Sequence, residues 1–252
     1  MICVNNIMKS FDGEAIIAGV SLAIPPRTVV AVVGPSGAGK TTLLNIMVGV
    51  LKADSGSLSV NASHRIGYML QEPALLPWRT LAENAQLGLE LISRPIAPSL
   101  ELTEKLFREF ELNGAQRKYP AQCSLGMQQR AALIRTLAIE PNVLLLDEPF
   151  SSLDYDIKLR VQLNVVRYVE DKQPAVLLVT HDIEDAIALA DKVIVLTDKV
   201  IVLTDKPASV KAEIDINLGF PKRDPVAART SPKFQEYFEI ILQHLKYLPS
   251  PC

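Results

Sequence analysis

A glycine-rich segment near the start of the chain has the composition of a phosphate-binding loop. Residues 34–41 read GPSGAGKT and match the pattern G-x-x-x-x-G-K-[ST] at every fixed position. The glycines allow a tight turn whose backbone N–H groups point at phosphate oxygens. Lys40 offers a compact charge to the β and γ phosphates, and Thr41 offers a hydroxyl ligand for Mg²⁺. The predicted nucleotide-binding residues are Gly34, Pro35, Ser36, Gly37, Ala38, Gly39, Lys40, Thr41 and Thr42.

Two adjacent carboxylates follow an apolar run later in the chain. Residues 143–146 predict a buried strand that ends at Asp147 and Glu148. Ligands of open α/β sheets bind beyond the carboxyl ends of the strands. We therefore expect Asp147 to orient the ligands of Mg²⁺ and Glu148 to polarise an attacking water as a general base.

The elements that must position these residues alternate between strands and helices. This order predicts an α/β fold with a mainly parallel sheet that is buried on both faces. Apolar runs predict strands at 28–33, 143–146, 175–180 and 193–196. Residues 72–140 are predicted to be helical, with Ser99 as the cap of one helix, whose apolar face carries Leu102, Leu106, Phe107 and Phe110, and a second helix at 126–140. A last helix is expected to begin at Ser231–Pro232.

Composition and charge exclude several classes of function. The chain of 252 residues has 26 basic and 28 acidic residues, a net charge of −2, so no basic field predicts a nucleic-acid partner. No apolar stretch reaches the ~20 residues that span a bilayer, and the first residues lack the order of a signal peptide. Cys3, Cys123 and Cys252 lie far apart and predict neither a metal site nor a disulfide framework. We expect a soluble cytosolic protein.

The segment DKVIVLT occurs twice in succession, at 191–197 and 198–204. Because seven is odd, equivalent side chains of the two copies would face opposite sides of one straight strand. We expect one copy to be a sheet strand and the other to pair beside it or bulge out, with a turn at 197–199. The repeat predicts no function.

Further short elements occur in a fixed order around the loop and the carboxylates. Gln71 follows the strand-like segment 66–70, SLGMQQR at 124–130 opens a helix, SSLD at 151–154 follows Glu148, and His181 ends the strand at 175–180. This order resembles the nucleotide-binding subunit of ATP-binding cassette (ABC) transporters over essentially the whole chain.

The resemblance implies ATP and Mg²⁺ as cofactors and a role for each matching residue. Phe11 would stack on the adenine ring, although by itself it reads as an ordinary half-buried aromatic. Glu148, His181 and Gln71 would be catalytic, and Thr41, Gln71 and Asp147 would hold the metal. The remaining implied residues act across a dimer: Ser124, Gly126 and Met127 would bind the γ-phosphate of the opposite subunit, and Asp154 would line the interface. Ser124 also reads as a simple helix cap, which is compatible with that role.

The resemblance also implies the domain plan. We expect one ATPase domain over 1–252, with a P-loop NTPase core at about 1–71 and 141–210 and a small antiparallel β portion. A helical subdomain would span about 72–140 and a C-terminal extension about 211–252.

Leu125 departs from the family pattern, which places a glycine between Ser124 and Gly126. A positive φ at this position would cost a leucine about 1–2 kcal/mol, whereas ordinary helical backbone would cost little. We expect helical backbone here, because every other catalytic element is intact.

The segment QEPALLPWRT at 71–80 is similar to a stretch of importers for nitrate, sulfonates and taurine. Its two prolines are expected to stiffen a loop that exposes Leu75, Leu76 and Trp78 for docking to a partner helix; alternatively, these side chains cover the core between subdomains. The implied partners are a second ABC subunit, integral membrane permease subunits and, indirectly, a periplasmic or surface solute-binding protein. The implied location is peripheral, on the cytoplasmic face of a bacterial-type membrane.

Other functions remain open at this point. The chain could serve an importer of another small solute. A P-loop phosphotransferase would need an acceptor site and lid arginines but neither Ser124 nor His181. A nucleotide-gated assembly or repair protein usually carries long coiled coils or two cassettes, and a non-hydrolysing regulatory cassette would not need Glu148 and His181.

Overall fold

The computed structural model describes residues 2–60, 65–92, 96–198, 208–219 and 224–245. Nine strands are found in these ranges: β1 (Ile2–Phe11), β2 (Glu14–Ile24), β3 (Val29–Val33), β4 (Ser55–Ser59), β5 (Ile66–Met69), β6 (Val143–Asp147), β7 (Ala175–Thr180), β8 (Lys192–Asp198) and β9 (Ala208–Asp215). The α-helices of the same ranges are α1 (Lys40–Met47), α2 (Leu81–Leu91), α3 (Ile96–Glu109), α4 (Leu125–Ala138), α5 (Tyr155–Lys172), α6 (Ile183–Leu189), α7 (Pro225–Thr230) and α8 (Pro232–Leu245). The chain divides into two compact units, Met1–Ser63 with Ala175–Cys252 and His64–Pro174.

The first unit contains a sheet with the strand order β4-β1-β2-β9-β8-β3-β7. β3 lies parallel to both β7 and β8, and all its residues are buried, as expected of a strand covered on both faces. β1 pairs antiparallel with β2 and with β4, which forms the expected antiparallel portion. The predicted α/β class with a mainly parallel sheet is therefore confirmed, and so is the last helix, since α8 begins at Pro232.

The repeat copy at 191–197 forms most of β8. The predicted turn at 197–199 is wrong for its first two residues, because Thr197 pairs with Ser209 and the next residue, Asp198, pairs with Ala208 in an antiparallel ladder. The strand continues because its partner β9 satisfies these backbone groups. Residues 199–204 of the second copy lie outside the described residues.

The second unit contains the parallel pair β5 and β6 and the helices α2 to α5. α4 is buried along most of its length, and the predicted helix at 126–140 is confirmed with small shifts at both ends. Ser99 does not cap a helix, because α3 begins earlier, at Ile96. Pro98 then falls in the first turn, where the backbone N–H groups have no intrahelical partner and a proline is tolerated.

The helices of the described ranges include none that is long and apolar enough to cross a membrane. The predicted boundaries of the core, the helical subdomain and the C-terminal extension stay a prediction.

Candidate functional site

The glycine-rich loop of the first unit connects β3 to α1. A Cβ atom at Gly34 would lie 2.5 Å from the backbone oxygen of Leu196 on β8, so a side chain cannot be placed there. Gly37 and Gly39 have φ values of 84° and 72°, in the region that L side chains rarely adopt. Gly39 is the N-cap residue of α1, so the loop delivers backbone N–H groups at the positive end of a helix. This geometry fits a phosphate chain.

Lys40 is the first residue of α1 and is 8% exposed. Its Nζ donates hydrogen bonds of 2.8 Å to the backbone oxygens of Gly34 and Pro35. The ammonium group is thus held over the loop, within reach of a ligand that the loop binds. Thr41, which follows, is exposed and presents a hydroxyl oxygen of the kind that Mg²⁺ accepts.

Phe11 ends β1 and is 42% exposed, which leaves its ring accessible for stacking. The Lys9 Nζ lies 5.2 Å from the centroid of this ring and 2.7 Å from an Asp54 carboxylate oxygen. The hydrogen bond from Lys9 lowers the pKa of Asp54, and a second bond from the Ser10 backbone N–H acts in the same direction. Sequence reasoning missed Lys9 and Asp54, because no motif links positions so far apart.

His181 follows β7 directly and is exposed. The next residue, Asp182, caps α6 by accepting hydrogen bonds from the backbone N–H groups of Glu184 and Asp185. The cap fixes where the chain turns from strand to helix and so fixes the position of His181 at the carboxyl end of β7.

The paired carboxylates lie in the second unit, at the end of β6. Asp147 is 1% exposed and Glu148 is 7% exposed. Glu148 has a φ of 50° and is followed by Pro149, so its backbone occupies a conformation that is uncommon for a side-chain-bearing residue. Its carbonyl oxygen accepts hydrogen bonds from the Ser151 N–H at 3.3 Å, the Ser151 hydroxyl at 3.1 Å and the Gln129 side-chain amide at 3.4 Å.

Tyr68 on β5 shares a sheet face with Asp147, since it pairs with Leu145, two residues earlier on β6. Burial raises the pKa of Tyr68 to about 12, and the negative charge of Asp147 adds to the shift. The phenol therefore stays protonated beside the carboxylate.

Ser124 caps α4 by accepting a hydrogen bond of 3.3 Å from the Met127 N–H. Leu125 is the first residue of α4, has no positive φ and is 57% exposed. The prediction of helical backbone at Leu125 is confirmed.

Gly126 lies close to the segment that leads to Asp154. A Cβ atom at Gly126 would lie 3.3 Å from Leu153 and from the Ser152 backbone oxygen, so this glycine permits close packing there. Asp154 is exposed and occupies the N-cap position of α5 without a capping side-chain bond.

Gln71 is exposed and is the second residue of the loop that joins β5 to α2. The Arg135 guanidinium donates hydrogen bonds of 2.8 Å to the backbone oxygens of Pro73 and Ala74. The fully buried Asn84 side chain accepts from the Leu76 N–H at 2.7 Å and donates to the Leu76 oxygen at 3.1 Å. The loop is therefore held from two helices, and sequence reasoning missed both anchors.

Trp78 in this loop is 71% exposed, as predicted. The predicted exposure of Leu75 and Leu76 is wrong, because both are half-buried. The Asn84 bonds hold the Leu76 backbone close to α2. Trp78 is the most exposed large apolar side chain of the loop, ahead of Leu70 at 37%. The alternative role in covering a core is thus excluded for Trp78 within the second unit.

The described residues include no group of three or more His, Cys, Asp or Glu side chains that could hold a metal ion. Thr41, Gln71 and Asp147 nevertheless carry oxygen donors, which Mg²⁺ prefers, and Mg²⁺ characteristically shares its coordination with substrate phosphates and water. Thr41 belongs to the first unit and the other two donors to the second.

If the chain hydrolyses ATP as the resemblance implies, Leu125→Gly is expected to raise the turnover by less than tenfold, because the leucine backbone is already helical and its side chain is exposed. A tenfold change corresponds to ~1.4 kcal/mol of transition-state free energy. Steady-state phosphate release measures the effect, with Leu125→Ala as the control that removes the side chain but keeps helix propensity. If Leu125→Gly raised the turnover more than tenfold over the parent and Leu125→Ala did not, Leu125 would be shown to impair the site.

Comparison with known proteins gives consistent matches. A model of the ABC transporter family matches residues 17–151. An uncharacterized ABC transporter ATP-binding protein, YtlC of Bacillus subtilis, is 38% identical over 87% of this chain and 84% of its own length. The aliphatic sulfonates import ATP-binding protein SsuB of Corynebacterium glutamicum is 35% identical over 96% of this chain and 93% of its own length.

A solved structure extends the comparison. The dimeric post-hydrolysis state of the ATP-binding cassette MJ0796, bound to ADP and Pi, is similar with a TM-score of 0.75 and 27% identity. The match covers 87% of this chain and 100% of that chain.

Proposed function

The chain belongs to the ABC transporter family and is an ATPase of that family, and from this membership we propose that it drives an importer of a small solute of the nitrate, sulfonate or taurine type. The observation that carries the proposal is the alignment of 96% of the chain with a sulfonate import ATP-binding protein. The glycine loop with its buried Lys40 supports the use of ATP.

In the proposed reaction, the loop N–H groups and Lys40 bind the phosphates of ATP, and Phe11 stacks on the adenine. Thr41, Asp147 and Gln71 hold the Mg²⁺ that accompanies the nucleotide, and this ion screens the phosphate charge. Glu148 accepts a proton as water attacks the γ-phosphorus, while His181 contacts the γ-phosphate. The bond from the γ-phosphorus to the bridging oxygen breaks, and ADP and inorganic phosphate are the products. The uncommon backbone of Glu148 supports its role, because such conformations cluster at functional sites.

We further propose that two cassettes close around two ATP molecules. Ser124, Gly126 and Met127 of one cassette bind the γ-phosphate held by the other, at the positive end of α4. Asp154 lines the interface. The dimeric ADP-bound state of MJ0796 supports this arrangement.

The proposed partners are integral membrane permease subunits and, through them, a periplasmic or surface solute-binding protein. The cassette would then sit on the cytoplasmic face of the membrane. ATP binding can do work on the permease only through different affinities for the closed and open dimers.

Trp78→Ala is expected to weaken assembly with the cognate permease by at least about tenfold, because aromatic anchors in a stiff loop dominate small interfaces. The ATP affinity of the isolated chain should stay within twofold, since Trp78 belongs neither to the glycine-rich loop at 34–41 nor to the carboxylate pair Asp147 and Glu148. Co-purification with the tagged permease measures assembly, and Val50→Ala is a control that removes another exposed apolar side chain. Equal recovery of Trp78→Ala and the parent would remove Trp78 from the docking surface.

The reaction type is tested by incubating the protein with γ-labelled ATP and Mg²⁺. A hydrolase releases inorganic phosphate, whereas a phosphotransferase leaves the label on an acceptor.

The solute is tested in cells. Deletion of the gene should abolish growth on an aliphatic sulfonate as the sulfur source and spare growth on cysteine. If the deletion strain grows normally on the sulfonate and the protein still releases phosphate, the proposed solute is rejected and the proposed ATPase activity stands.

A further inference from the structure

We propose that Gln129 is a positioning residue that holds the backbone of Glu148, and thereby joins the helix start at Ser124 to the general base. The inference rests on the proposed function, because it assigns a consequence to the roles of Ser124 and Glu148. Its physical basis is contained in the second unit alone.

Gln129 lies one turn into α4 and is 1% exposed, so its amide is removed from water. A buried side-chain amide without hydrogen bonds is costly, and such groups are almost always satisfied. Here the Nε2 atom donates to the backbone oxygen of Glu148. The neighbouring Gln128 instead bonds the oxygens of Pro120 and Cys123, so adjacent glutamines face different segments.

The acceptor of this bond is an unusual backbone group. Glu148 has a φ of 50°, and a residue with a side chain holds such a conformation only where surrounding contacts fix it. The Ser151 N–H and hydroxyl bond the same oxygen from within the loop. Among the three described donors to this oxygen, Gln129 is the one from a helix, and so it fixes the peptide relative to a rigid element.

A second contact joins the same two segments. Gly126 approaches the Ser152 backbone oxygen so closely that a Cβ atom would lie 3.3 Å away. The first two turns of α4 therefore touch the segment 148–153 at both Gly126 and Gln129. When the partner's nucleotide engages Ser124, any displacement of the helix start is carried to the backbone of Glu148. A filled site in one cassette would in this way set the base of the other site.

Gln129→Leu tests the inference, because leucine keeps the apolar volume and removes the donor. We expect kcat for ATP hydrolysis to fall about tenfold, since small displacements of a reacting group have effects of this size or larger. The dissociation constant of ATP should stay within twofold. Thr136→Val is the matched control: its buried hydroxyl bonds only the Ala132 oxygen of the same helix among its described hydrogen bonds.

Two further measurements separate positioning from loss of fold. In a Glu148→Gln background, Gln129→Leu should change the residual turnover by less than twofold, because the base that it positions is gone. Ser151 is exposed, and Ser151→Ala removes the hydroxyl donor to the Glu148 backbone oxygen. This variant should lower kcat severalfold and leave ATP binding unchanged.

The proposal is overturned if Gln129→Leu keeps kcat within twofold of the parent, or if it lowers kcat equally in the Glu148→Gln background. The proposal is also overturned if the melting temperature of the Gln129→Leu variant falls well below that of the Thr136→Val variant while Ser151→Ala has no effect on kcat. Failure of the proposed function is recognised separately, because Glu148→Gln alone would then retain full turnover.

Discussion

Glu148→Gln is expected to lower steady-state ATP turnover by at least about a hundredfold, the size of effect that general-base catalysis supplies. The amide is isosteric with the carboxylate but cannot accept the proton of the attacking water. ATP affinity of the monomeric variant should be unchanged, because the side chain proposed to bind the phosphates is Lys40. Phosphate release and equilibrium ATP binding, measured on the same preparation, check both halves.

The same variant should accumulate as an ATP-bound dimer with saturating ATP and Mg²⁺, since closure precedes hydrolysis in the proposed cycle. Light scattering after gel filtration measures the mass. Glu184→Gln is a control that neutralises an exposed acid outside the proposed site. A Glu148→Gln protein that stays monomeric under these conditions contradicts the two-cassette mechanism.

Lys40→Ala is expected to weaken ATP affinity by at least about tenfold, because it removes a charge-assisted contact to the β and γ phosphates. It also removes the donor that serves the backbone oxygens of Gly34 and Pro35, so the loop loses internal support. Lys52→Ala, which removes an exposed lysine of the same unit, should bind ATP like the parent. Titration with a fluorescent ATP analogue measures both affinities, and equal values would exclude Lys40 from the binding site.

The glycine-rich loop and the carboxylate pair could be predicted because each is defined by a few consecutive residues. The glycines of residues 34–41 are required by local backbone geometry, and the strand before Asp147 is a continuous apolar run. The predicted apolar face of α3 is confirmed for Leu106 and Phe107, which are buried, while Leu102 is half-buried and the buried Phe110 follows the end of the helix. The predicted start at Ser99 is too late, because α3 begins at Ile96.

Other features depend on contacts between distant residues and leave no local pattern. The bonds from Arg135 to Pro73 and Ala74 cross more than sixty residues, and the buried Asn84 reads as an ordinary polar helix position. The positive φ of Glu148 likewise follows from its environment, because glutamate has no intrinsic preference for it. The predicted exposure of Leu75 and Leu76 is wrong for the same reason, because the bonds from Asn84 that hold Leu76 close to α2 leave no local pattern.

The two anchors of the loop that carries Trp78 have a mechanical consequence. Arg135 projects from α4, the helix that begins at the proposed contact with a second nucleotide, and ties it to the peptide groups of Pro73 and Ala74. Both bonds are 2.8 Å long and come from one planar guanidinium, whose fixed fork geometry restricts how the helix and the loop can move apart. Under the proposed function, a displacement of Ser124 by a second nucleotide would therefore be passed along α4 to the loop that carries the indole of Trp78.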